Sequence, residues 1–223
     1  MINEKDFLPQ SLEECVIGDP RSRGLLSELV SNRLPFPAFG KCGILLHGPY
    51  GTGKSTTAGL LPDLLERVRS GSDAYFTEHK CAQGTNGASL MTTIQQATSF
   101  VSLNPSGLHY TVLDEVDNLT EAAQASLKAI MDSKHGVFIL ATNHLPEVNA
   151  GVVDRCHLIH MVAARPDDWL PLVCRVIGAC GAPVPPAASL LPVIAQCGGS
   201  ARAILSASLQ LAAQSTSLVG VRK

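Results

Sequence analysis

No CxxC pair occurs among the seven cysteines, at positions 15, 42, 81, 156, 174, 180 and 197. An odd number without paired spacing argues against a disulfide framework and for reduced thiols that fill small core spaces. Neither His79 with Cys81 nor His157 with His160 has a second half at zinc-like spacing, and on a strand His157 and His160 would face opposite ways. No structural zinc site is expected. The opening stretch MINEKDFLPQ lacks the apolar core of a signal peptide, and the apolar run from Val173 to Ala188 is broken by Arg175 and several prolines. The expectation is therefore a soluble, cytoplasmic protein with no membrane partner. A formal net charge of −2 removes any global attraction to nucleic acid or acidic lipid, so such a contact would have to be local. There is also no internal repeat and no low-complexity tract.

What is present is a chain of 223 residues, long enough for one large α/β domain with a small appendage and no covalent staple. Three continuous apolar runs, GILLHG at 43–48, HYTVLD at 109–114 and GVFILATN at 136–143, each end in polar residues. Strands of this kind suit a parallel sheet covered on both faces, with helices as crossovers. Helix signals alternate with them: one helix opens at Ser55, and another at Thr120-Glu121-Ala122-Ala123-Gln124 with a capping threonine, continuing through SLKAIMD. From Arg165 the composition turns to proline-punctuated, Ala/Leu-rich helical segments. The expected organisation is an α/β nucleotide-binding domain over 1–163 and a small all-helical domain over 164–223.

The run Gly48-Pro49-Tyr50-Gly51-Thr52-Gly53-Lys54-Ser55-Thr56 contains GxxxxGK[ST] between an apolar strand and a helix, the context that gives this motif its meaning. The glycines let backbone N–H groups curl around phosphates, and the helix N-terminus adds a positive dipole. Lys54 neutralises the β and γ oxygens, while the Ser55 hydroxyl holds Mg2+. The run Val112-Leu113-Asp114-Glu115 closes a strand in two acids, placing Asp114 for the metal and Glu115 to polarise the attacking water of ATP hydrolysis. Asn143 closes the third strand, where its amide can reach the γ-phosphate and orient that water.

The chain resembles AAA+ ATPases of the clamp-loader branch, the replication factor C small subunits and their phage and bacterial relatives. The segments carrying the resemblance are FLPQSLEECVIGDP, GPYGTGKST, VLDEVDNLTEAAQASLKAIMD, FILATN, VVDRC and GGSARAIL. The run after Asp114, with Asp117 and the LT…AQ…L pattern, is the most specific of these. The resemblance implies the three-layer AAA+ fold with a helical lid, and an adenine pocket lined by Val16 and Ile17. It makes Asn143 the first sensor and Arg202 the second, carried on the lid. It also implies that Arg155, in DRC, reaches the ATP site of a neighbouring subunit in a homo- or hetero-oligomer. A planar cation beside a transferring phosphoryl group stabilises the transition-state charge. The family's usual serine before this arginine is Asp154 here, which could pair with Arg155. Clamp loaders continue into a helical collar, and the sequence stops at Lys223. It is expected to be either part of a longer protein or a module that assembles through its ATPase domains alone or with other chains.

The resemblance further implies DNA as a partner, with a sliding clamp or another protein beside it. Lys80, Thr85, Asn86 and Gln124 are the residues expected to meet DNA phosphates. Two alternatives stay open: a protein-remodelling or regulatory AAA+ ring, and a nucleotide-dependent scaffold that hydrolyses slowly. The absence of aromatics from 80–99 counts against a threading pore loop, and the presence of Glu115 and Arg155 counts against the scaffold.

Overall fold

The computed structural model describes residues 4–81 and 87–220. By internal contacts the chain divides into two compact units, each discontinuous in sequence. The larger comprises Pro20–Gly48 and Lys54–Met161, and the smaller comprises Met1–Asp19, Pro49–Gly53 and Val162–Lys223. A single boundary at 163/164 puts the N-terminal segment in the first domain, whereas by internal contacts Met1–Asp19 groups with the C-terminal helices.

The larger unit is built on five strands, β1 (Gly43–His47), β2 (Phe76–Lys80), β3 (His109–Asp114), β4 (Gly136–Thr142) and β5 (Cys156–His160). They form one sheet in the order β2-β3-β4-β1-β5, with every pairing parallel. The three strands expected from their apolar runs, β1, β3 and β4, occupy its centre. Every residue of β4 is buried, as a strand covered on both faces requires. The sheet edges are more polar, with β2 reading Phe-Thr-Glu-His-Lys and β5 Cys-His-Leu-Ile-His.

Helix α1 (Pro20–Val30) precedes β1, and the crossover helices are α2 (Lys54–Ser70), α3 (Gly87–Ser99), α4 (Glu121–Ile130) and the short α5 (Ala150–Asp154). Leu45, Leu113, Phe138 and Leu140 of the sheet share a buried cluster with Met91 and Ile94 of α3, Ala123 and Leu127 of α4 and Val152 of α5. On the other face α2 buries Ala58, Leu61 and Leu65, and the Tyr110 hydroxyl of β3 donates to Glu66 of α2 at 2.9 Å. This gives the expected three layers. As the sequence suggests, Thr120 caps α4, its side chain accepting from the Ala123 N–H at 3.3 Å. The cysteines act as core residues: Cys15, Cys42, Cys81 and Cys156 are buried and unpaired with one another. Burial pushes the Cys81 and Cys156 thiols up to about 12 and Cys42 to about 11, which leaves them unreactive at neutral pH.

The smaller unit contains α6 (Pro166–Ala179), α7 (Ala187–Gln196) and α8 (Ala201–Gly220). Its core joins Trp169, Val173 and Ile177 of α6 to Leu190 and Ile194 of α7 and Ile204 and Ala212 of α8. Pro166 opens α6, where its missing N–H costs nothing, and the Asp168 carboxylate accepts from the Arg165 N–H at 3.1 Å. Val16 packs against this same core. Among the described residues no helix is long and apolar enough to cross a membrane.

Candidate functional site

Strands β1, β3 and β4 run parallel, so their C-terminal ends open on the same side of the sheet. In sheets of this kind, ligands bind outside those ends. Lys54 follows β1 across the glycine loop, Asp114 ends β3 with Glu115 next, and Asn143 lies one residue beyond β4. Because β4 lies between β3 and β1, the asparagine follows a strand end that lies between the end of β3 and the end of β1.

The loop has the backbone that its sequence demands. Gly48, Gly51 and Gly53 take φ values of 146°, 80° and 87°, a region open mainly to glycine. A Cβ on Gly48 would lie 2.3 Å from the Met161 carbonyl oxygen, so no larger residue is tolerated there. Thr52 is buried and its hydroxyl donates to the Pro49 carbonyl at 2.9 Å, closing the turn from within. Lys54, also buried, donates to the Gly48 carbonyl at 2.9 Å, which ties its ammonium to the residue that follows β1. Tyr50, Ser55 and Thr56 are exposed, and Ser55 stands in the first turn of α2 beside the free N–H groups of the helix start. In the smaller unit, the Ala201 N–H at the start of α8 donates to the Gly51 carbonyl at 2.8 Å, and Arg202 follows it, exposed, in the first turn of α8. Ile17 is buried and Val16 half-buried in that unit.

The residues present suit a Mg-nucleotide. Successive positive-φ glycines before a helix N-terminus form an anion-binding nest. The hydroxyl of Ser55 and the carboxylate of Asp114 are oxygen donors of the hard type that Mg2+ selects.

Around the acids the arrangement is taut in its backbone and slack in its side chains. Glu115 sits in the left-handed region, at φ 57° and ψ 47°, a position that costs a non-glycine residue energy and often marks a working site. The Asp114 carboxylate accepts from the Glu115 N–H at 3.0 Å. Among the described residues the Glu115 carboxylate meets Lys80 at 3.4 Å and the Asn118 amide at 3.4 Å. Asp117 ties this loop to the neighbouring strand end, its carboxylate accepting from the Thr142 hydroxyl at 2.7 Å, and that hydroxyl accepts from the His144 N–H at 3.0 Å. Asp117 and Thr142 thus brace the residues on either side of Asn143, a function that no local pattern at Thr142 signals.

Two residues expected to meet DNA phosphates are engaged elsewhere. Lys80 is ion-paired to Glu115. Gln124, 5% exposed, donates to the carbonyls of Leu119 and Glu147, both at 3.1 Å, and accepts from the Asn149 N–H. It is a buried splice between α4 and the segment after β4, since the face of α4 carrying Ala123, Gln124 and Leu127 is turned inward. Thr85 and Asn86 lie outside the described residues. His47 and His160 stack with ring centroids 4.8 Å apart, while His157 packs edge-on against Phe36 at 5.7 Å. Burial lowers the His47 pKa, with His160 and Lys54 adding to the effect.

Arg155 does not pair with Asp154. Its Nε and Nη2 both meet Asp132 at 2.8 Å, and Nη1 donates to the Gly151 carbonyl at 3.0 Å. Asp154 contributes only its backbone carbonyl, which accepts from Lys41 Nζ. The reason is geometric: Arg155 caps the C-terminus of α5, and its side chain turns back over that helix toward the end of α4.

A glycine loop between a central parallel strand and a helix, with an acidic pair closing a second strand and a polar residue closing the strand between them, defines a P-loop nucleotide-binding domain. A model of the ATPase family associated with various cellular activities (AAA) matches residues 44–163. The chain belongs to that family. Among curated proteins it is similar to replication factor C small subunit 1 of Pyrobaculum islandicum, 28% identical over 71% of this chain and 48% of that protein. The replication factor C small subunit of Sulfolobus acidocaldarius is 26% identical over 73% of this chain and 48% of the relative. The chain thus spans about half the length of these relatives. Among solved structures, the Thermotoga maritima RuvB Holliday junction branch migration motor superposes with a TM-score of 0.67, over 91% of this chain and 64% of that one, at 17% identity. This last likeness is one of fold.

Proposed function

We propose that this chain is an ATP-hydrolysing AAA+ motor or switch subunit that acts on DNA in replication or a related transaction, in the manner of a clamp loader. The observation that carries the reading is the convergence of Lys54, Asp114, Glu115 and Asn143 at the C-terminal ends of three adjacent strands in a chain of this family. The names of the relatives, replication factor C subunits, support replication as the setting.

In this reading the N–H groups of residues 48–56 and the Lys54 ammonium bind the phosphates, and Val16 and Ile17 line the adenine pocket. Ser55 and Asp114 hold Mg2+, which supplies positive charge against the phosphate oxygens. Glu115 accepts the proton of the attacking water once its carboxylate leaves Lys80. Asn143, braced through Thr142 and Asp117, orients that water. Arg202 monitors the nucleotide from α8, whose first N–H is bonded to the loop crest at Gly51. Arg155 completes the ATP site of the next subunit and makes oligomerisation a condition of turnover. DNA and a sliding clamp or other protein are the partners.

Imaging of ATP-bound particles with and without primed duplex DNA tests the assignment, together with turnover under both conditions. The proposal expects rings or spirals with DNA in the centre and turnover stimulated by DNA. Particles that ignore DNA but enclose a polypeptide would assign the chain to protein remodelling.

A further inference from the structure

The immediate surroundings of Arg155 are more elaborate than a surface arginine needs. Its carbonyl accepts from the N–H groups of Cys42 and Gly43, both at 3.0 Å. Lys41 Nζ reaches the carbonyls on either side, those of Asp154 and Cys156. The main chain at Arg155 is therefore fastened to the segment entering β1. The side chain is fixed as well: Nε and Nη2 on Asp132, Nη1 on Gly151. Of the five N–H donors that a guanidinium carries, those on Nε and Nη1 serve Asp132 and Gly151, with Nη2 2.8 Å from the same Asp132 oxygen. Asp132 lies 23 residues earlier in the chain, two residues past the end of α4. Its side chain is 61% exposed against 24% for Arg155, so the carboxylate supports the guanidinium from the solvent side and is not a core anchor.

We propose that Asp132 is the positioning residue for Arg155, holding the guanidinium in the orientation in which it is offered to the neighbouring subunit's ATP. This rests on the reading of Arg155 as the residue shared across the subunit interface. An unrestrained arginine would have to give up its rotamer freedom each time it met a phosphate. One already fixed along one edge by a carboxylate, with its main chain held by Lys41, Cys42 and Gly43, has that ordering built into the fold, and positioning to within an ångström strongly affects phosphoryl transfer. Asp132 touches no reacting atom; it acts through Arg155.

The test is ATP turnover by the 223-residue chain with Asp132→Asn, Asp132→Glu and Arg155→Ala, each alone and mixed with Glu115→Gln. Asp132→Asn is expected to lower kcat by about ten- to a hundredfold, with KM for ATP and the thermal midpoint unchanged. Asp132→Glu should restore part of the rate by returning the carboxylate. Mixed with Glu115→Gln, the Asp132→Asn protein should regain activity as Arg155→Ala does, because some interfaces then combine an intact arginine with an intact acid. If Arg155→Ala abolishes turnover while Asp132→Asn matches or exceeds the wild-type rate, the arginine is shared but Asp132 does not position it, and the inference fails. A loss in Asp132→Asn that comes with a lowered thermal midpoint and is not recovered on mixing marks a purely structural contact and equally overturns it. If Arg155→Ala leaves turnover unchanged, the shared-site reading itself falls and takes the inference with it.

Discussion

Strand β3 has a polar network at each end, and the two are built on opposite principles. At its N-terminal end Glu66, 0% exposed, accepts from the Ser106 hydroxyl at 2.5 Å, the Ser106 N–H at 3.0 Å and the Tyr110 hydroxyl at 2.9 Å. Beside it the buried Asn104 donates to the carbonyls of Leu108 and Tyr75 at 2.7 and 2.9 Å and accepts from the Tyr75 N–H at 2.6 Å. Burial alone would raise the Glu66 pKa, but hydrogen bonds from Ser106, Ser70 and Tyr110 outweigh it and hold the carboxyl below the usual glutamate range. At the C-terminal end Glu115 has a left-handed backbone, two contacts of 3.4 Å among the described residues and a lysine partner whose side chain is 68% exposed. A saturated buried network fixes a loop in one geometry. A carboxylate with loose partners and a strained backbone can change partners cheaply, which suits the proton-accepting role proposed for Glu115.

The contrast can be broken from either end. The largest effect is expected at the functional end from Lys54→Ala, which removes the main side-chain charge opposite the phosphates. ATP affinity should fall about a hundredfold, or roughly 3 kcal/mol, with the thermal midpoint little changed, as read by calorimetric titration. At the structural end Glu66→Ala leaves Ser106 and Tyr110 without their acceptor and should destabilise the fold by about 2–3 kcal/mol in urea unfolding. Turnover per folded molecule should remain near wild type. Loss of activity without loss of stability in that variant would erase the distinction between the two networks.

A subtler effect concerns pH. Because the folded Glu66 pKa is depressed, its contribution is fully present above the unfolded glutamate value, about 4.3, and is lost as pH falls through the folded value. Glu66→Gln should therefore flatten the acid arm of the stability curve below about pH 4.3, measured as thermal midpoint against pH. The smallest effect is optical. Trp169 is buried in the core that also holds Val16, so ATP should shift its emission by a few nanometres or less in order of magnitude. Identical spectra with and without ATP would detach that core from the nucleotide.

How far the sequence alone reaches depends on whether a residue's role is set locally. The glycine loop, the acids after β3 and Asn143 were legible because each follows an apolar strand buried on both faces, whose composition announces it. The Thr120 cap was legible because an N-cap is satisfied within four residues. The edge strand β2 was not, since Phe-Thr-Glu-His-Lys has one open edge and mostly exposed side chains and so carries no buried-strand signature. Gln124 is expected at DNA phosphates from the resemblance, since amides commonly make such contacts; only the tertiary placement of Leu119, Glu147 and Asn149 turns it inward. The Asp132–Arg155 pair is equally non-local, and Asp154, adjacent in sequence, was the natural but incorrect partner. The grouping of Met1–Asp19 with the C-terminal helices leaves no mark in either segment by itself.

Glu115, slackly held at the end of β3, is the group proposed to activate water for ATP hydrolysis. Single-turnover hydrolysis by Glu115→Gln, started with ATP already bound, tests it most directly. The rate is expected to fall at least about a hundredfold below wild type with ATP still bound at comparable affinity. A rate within about twofold of wild type, well short of the loss expected for a general base, would contradict it.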